Sequence, residues 1–309
     1  MPPLTRFAPS PTGPLHLGHV AAMLYVWGLA ERELAGVQVR IEDHDRQRCR
    51  PRYLADLQVD LEWLQCTPCR GGAWSRQALQ GHRYREALER LRAQGLVYAC
   101  RCSRKDLPAV AGQNEPRYPG VCRHLGLPET PDTCLRIHLP DEEVRFFDGG
   151  LGWQTQRPAA QCGDLVLRDR HGNWTYQFCV VVDDLADRID WVIRGADLLA
   201  STGRQLLLAR ALGRTDPLAF FHHPLILAAD GAKLSKRDGA PPISKLRREG
   251  VSPAGVLGRA AHAVGLIPAP APLRLAELGE LFRRGVSGPL LEHPFRFGND
   301  LVAAPFPPT

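Results

Sequence analysis

The spacing of apolar positions changes several times along the chain, and each change predicts an element. "LTRFAPS", Leu4 to Ser10, reads as a short strand running into a turn, punctuated by Pro9, Pro11, Gly13 and Pro14. From Gly18 to about Ala35, Val20, Met23, Leu24, Trp27 and Leu34 recur at spacings of three, four and seven, which predicts an amphipathic helix. "VQVRIED" alternates like a strand and ends in acids. "RYLADLQVDLEWL" and "RYREALERLRAQG" repeat at helical spacing, the second stopped by Gly95. Strands alternating with helices predict an α/β fold built on a doubly wound parallel sheet.

Near Cys100 the pattern breaks. "CLRIHL", "EVRFFDGG", "GDLVLRD" and "NWTYQFCVVVDD" are strand-like pieces among cysteines, prolines and glycines, as expected of a smaller α+β insertion. "DWVIRGADLL" and the helical "RQLLLARAL" resume the earlier style, and "PLAFFHHPLIL" reads as a last strand before a loop. After Pro241-Pro242 the pattern is helical and ends in a proline-bearing tail. The expected organisation is a first half-domain over 1–99, an insertion over 100–184, a second half over 185–240, and a helical region with a tail over 241–309.

The chain has 309 residues and is 44% hydrophobic, enough for more than one domain. Its net charge of +6 permits a polyanionic partner. No apolar run reaches membrane-spanning length and the N-terminus lacks a signal-peptide layout, so a cytoplasmic protein is expected. Nine cysteines in a reducing compartment are expected as metal ligands or buried apolar residues, not as disulfides. Of the 39 basic residues only Lys105, Lys233, Lys236 and Lys245 are lysines. Two of these four fall within "KLSKR", Lys233 to Arg237, where a compact ammonium suits charge developing on a triphosphate.

Upstream, "PSPTGPLHLGH" stiffens the backbone and then places His16 and His19 where a helix begins. Unpaired N–H groups and the helix dipole attract anions there, both rings can donate hydrogen bonds, and Gly18 allows close approach. The stretch reads as a nucleotide site at the carboxyl end of the first strand. Taken alone, "HLGH" fits two surface histidines at a helix cap equally well, and "KLSKR" alone fits a solvated basic loop.

"RFAPSPTGPLHLGH", "RIEDHD", "YQFCVVVDD", "VIRGADLL" and "KLSKR" occur in consistent order from Arg6 to about Asp238, and together they resemble class I glutamyl-tRNA synthetases. The resemblance implies a Rossmann-like class I catalytic domain with a zinc-bearing insertion. It implies that His16, Gly18, His19 and Lys236 bind ATP, and that His16, His19, Lys233 and Lys236 stabilise the transition state of amino-acid adenylation. ATP is expected with Mg2+. The same resemblance assigns Arg6 and Arg194 to the carboxylates of L-glutamate, Glu42 to its α-amino group, and Ala8, Ser10 and Tyr176 to the pocket wall. A guanidinium suits carboxylate geometry. Leu17 and Leu234 stand where the family often has Ile and Met, and both keep an apolar anchor.

Cys100-x-Cys102 followed by Cys122 favours one structural zinc ion in such a chain. The fourth ligand is open between His124 and Tyr118, with the Tyr-x-x-x-Cys spacing of short relatives pointing to Tyr118. "CTPC", Cys66 to Cys69, has no partner pair and is expected to be structurally neutral. About seventy residues follow KLSKR, too few for a large anticodon-binding domain. That shortness resembles the glutamyl-queuosine branch of the family. This branch activates glutamate without tRNA and transfers it to queuosine at the wobble position of tRNA(Asp). No membrane and no obligate protein partner are implied. The rival readings are a truncated glutamyl or glutaminyl synthetase acting at the tRNA 3′ end, another His-x-Gly-His nucleotidyltransferase, and a non-catalytic RNA-binding paralogue.

Overall fold

Strand β1 (Leu4–Phe7) lies inside a seven-stranded sheet. The computed structural model describes residues 2–45, 47–107, 116–226, 241–286, 290–291 and 293–296. After β1 come α1 (Leu17–Arg32), β2 (Gly36–Ile41), α2 (Pro51–Trp63), β3 (Trp74–Arg76), α3 (Gly81–Ala93) and β4 (Val97–Cys100). They are followed by β5 (Cys134–Ile137), β6 (Val144–Asp148), β7 (Gly152–Gln156), α4 (Pro158–Gln161), β8 (Leu165–Arg168) and α5 (Tyr176–Ala186). Next are β9 (Trp191–Gly195), α6 (Thr202–Ala211), β10 (Ala219–His223), α7 (Ile243–Arg248), α8 (Pro253–Ala263) and α9 (Leu278–Gly285). The large sheet has the order β3-β2-β1-β9-β10-β6-β7, parallel except for the β6–β7 hairpin. β4, β5 and β8 form a separate antiparallel sheet.

Successive side chains of a strand point to opposite faces, and here each face has its own core. Trp191, Ile193, Ala219 and Phe221 pack with α1, α2 and the helices α7 to α9. Val192 and Phe220 pack with α3, α5 and α6 on the other side. The doubly wound sheet expected from the sequence is therefore present, with helices covering both faces.

Three expectations are corrected. Helix α1 is not amphipathic: Val20, Ala21 and Met23 to Ala30 are all buried, because α8 and α9 cover the side facing away from the sheet. Gly28 permits that contact, since a Cβ there would lie 2.2 Å from the Phe282 ring. Leu34, counted in the apolar stripe, lies past the helix end at φ +55° and is exposed. "YQFCVVVDD" is the helix α5, not a strand; burial of Phe178 to Val182 between α3, α6 and the sheet overrides the strand preference of its valines. The hairpin β6–β7, from inside 100–184, extends the large sheet, and β4, which starts at Val97 and ends on Cys100, joins the small one. Among the described residues, no helix is long and apolar enough to cross a membrane.

Candidate active site

A cleft of about 880 Å³ opens at the carboxyl ends of β1, β2, β9 and β10, where open parallel sheets bind ligands. Arg6, Ala8, Ser10, Glu42, Tyr176 and Arg194 all line it, as do His16, Gly18 and His19. β1 supplies Arg6 and leads into the Ala8–Ser10 loop, Glu42 follows β2, Arg194 sits in β9, and Tyr176 is the first residue of α5. The cleft thus collects residues separated by nearly two hundred positions. Lys233 and Lys236 lie outside the described residues.

The two histidines form a capping box. His16 is the N-cap of α1, its Nδ1 accepting from the Gly18 N–H at 3.1 Å, while His19 Nδ1 accepts from the His16 N–H at 3.1 Å. A neutral ring whose Nδ1 accepts a hydrogen bond carries its proton on Nε2. Both rings, with centroids 4.0 Å apart, are therefore oriented as Nε2–H donors at the positive end of a helix. That is a geometry for phosphate oxygens.

The charges deeper in the cleft are unequal. Arg6 Nε donates to Asp184 Oδ1 at 3.0 Å, and buried Arg40 pairs with the same carboxylate at 2.7 Å. Burial opposes the charge of Asp184, but Arg40 and then Arg6 hold its carboxyl below the usual range. Arg40 also lies 3.8 Å from Glu42 Oε1. Burial dominates at Glu42 and pushes it up to about 7 despite those two arginines. Arg194 has only neutral acceptors: Nε donates to His222 Nε2 at 3.0 Å, Nη1 to Gln205 Oε1 at 2.6 Å, and Nη2 to Thr202 Oγ1 at 2.9 Å and the Leu198 carbonyl at 3.3 Å. Among the described residues no carboxylate pairs with it. A buried cation matched only by dipoles at a cleft wall attracts an anionic ligand.

A second cluster lies at the small sheet. Cys100 ends β4, and the sulfurs of Cys100, Cys102 and Cys122 lie within 4.8 Å of one another, Cys102 and Cys122 at 3.6 Å. Tetrahedral ligands at a Zn–S distance of about 2.3 Å require sulfurs about 3.8 Å apart, so the donor set fits zinc. Tyr118 is buried, with its hydroxyl 3.4 Å from Cys100 Sγ and accepting from the Cys122 N–H at 2.8 Å. His124 is exposed and is not among the clustered donors. Gly163 makes room for the Tyr118 backbone, since a Cβ there would meet the Tyr118 carbonyl at 1.9 Å. Cys66 is buried in the main core, and the backbone of Cys69 pairs with Val37.

Residues 4–263 match the family of class I tRNA synthetases (E and Q), catalytic domain. A glutamyl-Q tRNA(Asp) synthetase of Symbiobacterium thermophilum is 43% identical over 298 residues, covering 90% of this chain and 91% of that one. One of Rhodobacter capsulatus is 41% identical over 274 residues, covering 82% and 98%. The chain belongs to the class I glutamyl and glutaminyl tRNA synthetases, in their glutamyl-Q tRNA(Asp) branch. The solved glutamate tRNA ligase of Elizabethkingia meningosepticum, in complex with its amino acid, superposes on the synthetase with a TM-score of 0.74. It is 26% identical, over 97% of this chain and 68% of that one.

Sequence reading missed several groups in this synthetase. Arg40 stands within the quoted "RIEDHD" beside Glu42, yet its ion pair with Asp184 appears only when β2 lies beside α5. Asp184 ends the quoted "YQFCVVVDD", and the helical form of that segment, not a motif, turns it towards Arg6. His222, in the last strand, carried no signal beyond its place in "FFHH".

Proposed function

We propose that the synthetase activates L-glutamate with ATP, without tRNA, and transfers the glutamyl group to queuosine at the wobble position of tRNA(Asp). The observation that carries this reading is the buried Arg194, matched only by dipoles, in one cleft with Glu42 and the His16–His19 cap. It is supported by relatives bearing the glutamyl-Q name at 41–43% identity over most of both chains. Arg6 and Arg194 take the substrate carboxylates, Glu42 the ammonium, and Ala8, Ser10 and Tyr176 the intervening wall. His16 and His19 donate Nε2–H to phosphate oxygens beside Gly18, and Lys233 and Lys236 are assigned to the triphosphate through the family resemblance. Magnesium supplies counter-charge to ATP when bound. A structural zinc ion is held by Cys100, Cys102, Cys122 and Tyr118.

In the first step an α-carboxylate oxygen of glutamate forms a bond to the α-phosphorus, the bond to the bridging oxygen breaks, and pyrophosphate leaves. Donors placed before the reaction stabilise the charge that develops. In the second step a hydroxyl of the queuosine cyclopentene-diol attacks the glutamyl carbonyl. AMP leaves with the former C–O electron pair, and the hydroxyl gives up its proton. An ester results.

Glutamate-dependent pyrophosphate exchange is expected without tRNA. Bulk tRNA charged with labelled glutamate is expected to carry the label on queuosine when its nucleosides are identified by mass spectrometry. Label on the 3′-terminal adenosine would overturn the assignment. Glu42 predicts a pH dependence: with its carboxyl raised to about 7, it is ionised above that pH and protonated below it. The KM for glutamate should be about tenfold higher at pH 6 than at pH 8, one pH unit either side of that value. A Glu42→Gln enzyme should show a high and flat KM profile, and an unchanged slope would remove Glu42 from the ammonium. Lys236→Ala should leave glutamate binding by calorimetry nearly intact while slowing adenylation by about 10²-fold or more.

A further inference from the structure

Arg194 is held by a buried relay that the activation step, as described so far, does not use. Asp148 closes β6, and the neighbouring β10 brings His222 against it. Asp148 Oδ1 accepts three backbone N–H groups, from Gly150 at 3.0 Å, Leu151 at 3.0 Å and His222 at 3.2 Å. Its Oδ2 lies 2.5 Å from His222 Nδ1. Both side chains are almost wholly buried. Burial opposes charge on each: it keeps the imidazole neutral near neutral pH, while bonds from His222 and the backbone keep the carboxyl ionised.

An ionised carboxylate is acceptor-only, so His222 Nδ1 must carry the ring proton and Nε2 must be the acceptor. That lone pair receives the Arg194 Nε–H at 3.0 Å. Gln205 and Thr202 hold the two terminal nitrogens from α6, with the Leu198 carbonyl also accepting, so four neutral acceptors orient the guanidinium without cancelling its charge. A carboxylate in the place of His222 would neutralise the cation that the substrate needs. A ring protonated on Nε2 would set two donors face to face.

We propose that Asp148 and His222 are positioning residues for glutamate selection: Asp148 fixes the His222 ring proton on Nδ1, and Nε2 then holds Arg194 in place as an unneutralised cation for a substrate carboxylate. This rests on the reading that Arg194 binds glutamate. The three backbone donors on Oδ1 make the test specific. In Asp148→Asn they retain the amide oxygen, which places the NH2 group against His222 Nδ1 and drives the ring proton to Nε2. The near-isosteric change keeps the shape and reverses the tautomer.

15N spectra of histidine-labelled protein, with His222 assigned by its loss in His222→Gln, should show an Nδ1–H ring in the wild type and an Nε2–H ring in Asp148→Asn. In pyrophosphate exchange, Asp148→Asn should raise the KM for glutamate about ten- to hundredfold, the worth of a hydrogen bond to a charged group. The KM for ATP and kcat should stay within about threefold, and preference for glutamate over glutamine should fall. His222→Gln, whose Oε1 can replace the Nε2 acceptor, should recover most of the glutamate KM, and His222→Leu should not. A ring that keeps its proton on Nδ1 in Asp148→Asn overturns the proposal, as does a glutamate KM within about twofold of wild type. Equal behaviour of His222→Gln and His222→Leu does the same, and that pair decides the matter if Asp148→Asn fails to fold. The spectra need no activity. Absence of glutamate-dependent exchange in the wild type would therefore count against the proposed function alone, while the tautomer still judges the relay.

Discussion

Arg194→Leu is expected to raise the KM for glutamate in pyrophosphate exchange by about 10²- to 10³-fold, the cost of stranding a buried charge without its partner. The substitution removes the one cleft guanidinium that, among the described residues, meets only neutral acceptors, and leaves His222, Gln205 and Thr202 without their donor. Arg6 should compensate only in part, because its Nε is already paired with Asp184 and it therefore offers the substrate a partly neutralised charge. The ATP side of the cleft depends on the His16–His19 cap, which Arg194 does not touch, so the KM for ATP should change little. Circular dichroism and a melting curve separate loss of binding from loss of fold. A folded Arg194→Leu enzyme with wild-type glutamate KM would remove Arg194 from substrate recognition.

Loss of the metal should be the second large effect. Elemental analysis is expected to find one zinc per chain, falling well below that in Cys102→Ala and staying near one in Cys69→Ala. Structural zinc contributes about 10–16 kcal/mol of apparent binding free energy in small zinc domains, more than a local segment can replace. The sheet β4-β5-β8 and the turn from Tyr118 to Cys122 should then show much faster amide exchange in Cys102→Ala. The cleft belongs to the other sheet, so tRNA-independent glutamate activation should persist within about an order of magnitude. Zinc-free wild-type protein with the same exchange pattern would exclude a structural metal.

Much of this site could be read from the chain because its chemistry sits in contiguous motifs. His16, Gly18 and His19 lie within one helical turn, and the capping box they form is a local structure. Cys100, Cys102 and Cys122 lie close enough in sequence for their spacing to suggest a metal, and the fold brings them together. Spacing alone leaves Tyr118 and His124 as alternatives, since both lie a few residues from Cys122; Tyr118 is buried against Gly163 beside the cysteines, and His124 is exposed. The valines of α5 misled because β-branched residues favour strands where burial is one-sided, whereas this helix is buried on nearly all sides.

From residue types and spacing follow the doubly wound class, a candidate nucleotide-binding helix start and the candidate zinc thiolates, and from the resemblance the residues proposed to bind glutamate. These are local patterns, set by neighbours within a turn or two of the backbone. The tertiary structure alone decided how charge is distributed in the cleft. Arg6 meets Asp184 across 178 positions, and Arg194 meets His222, which in turn meets Asp148, because β9, β10 and β6 lie side by side. Strand order is chosen by burial of both sheet faces at once, a global condition that no single stretch of sequence records. For that reason the identity of the cations was readable beforehand, and which of them remains unneutralised was not.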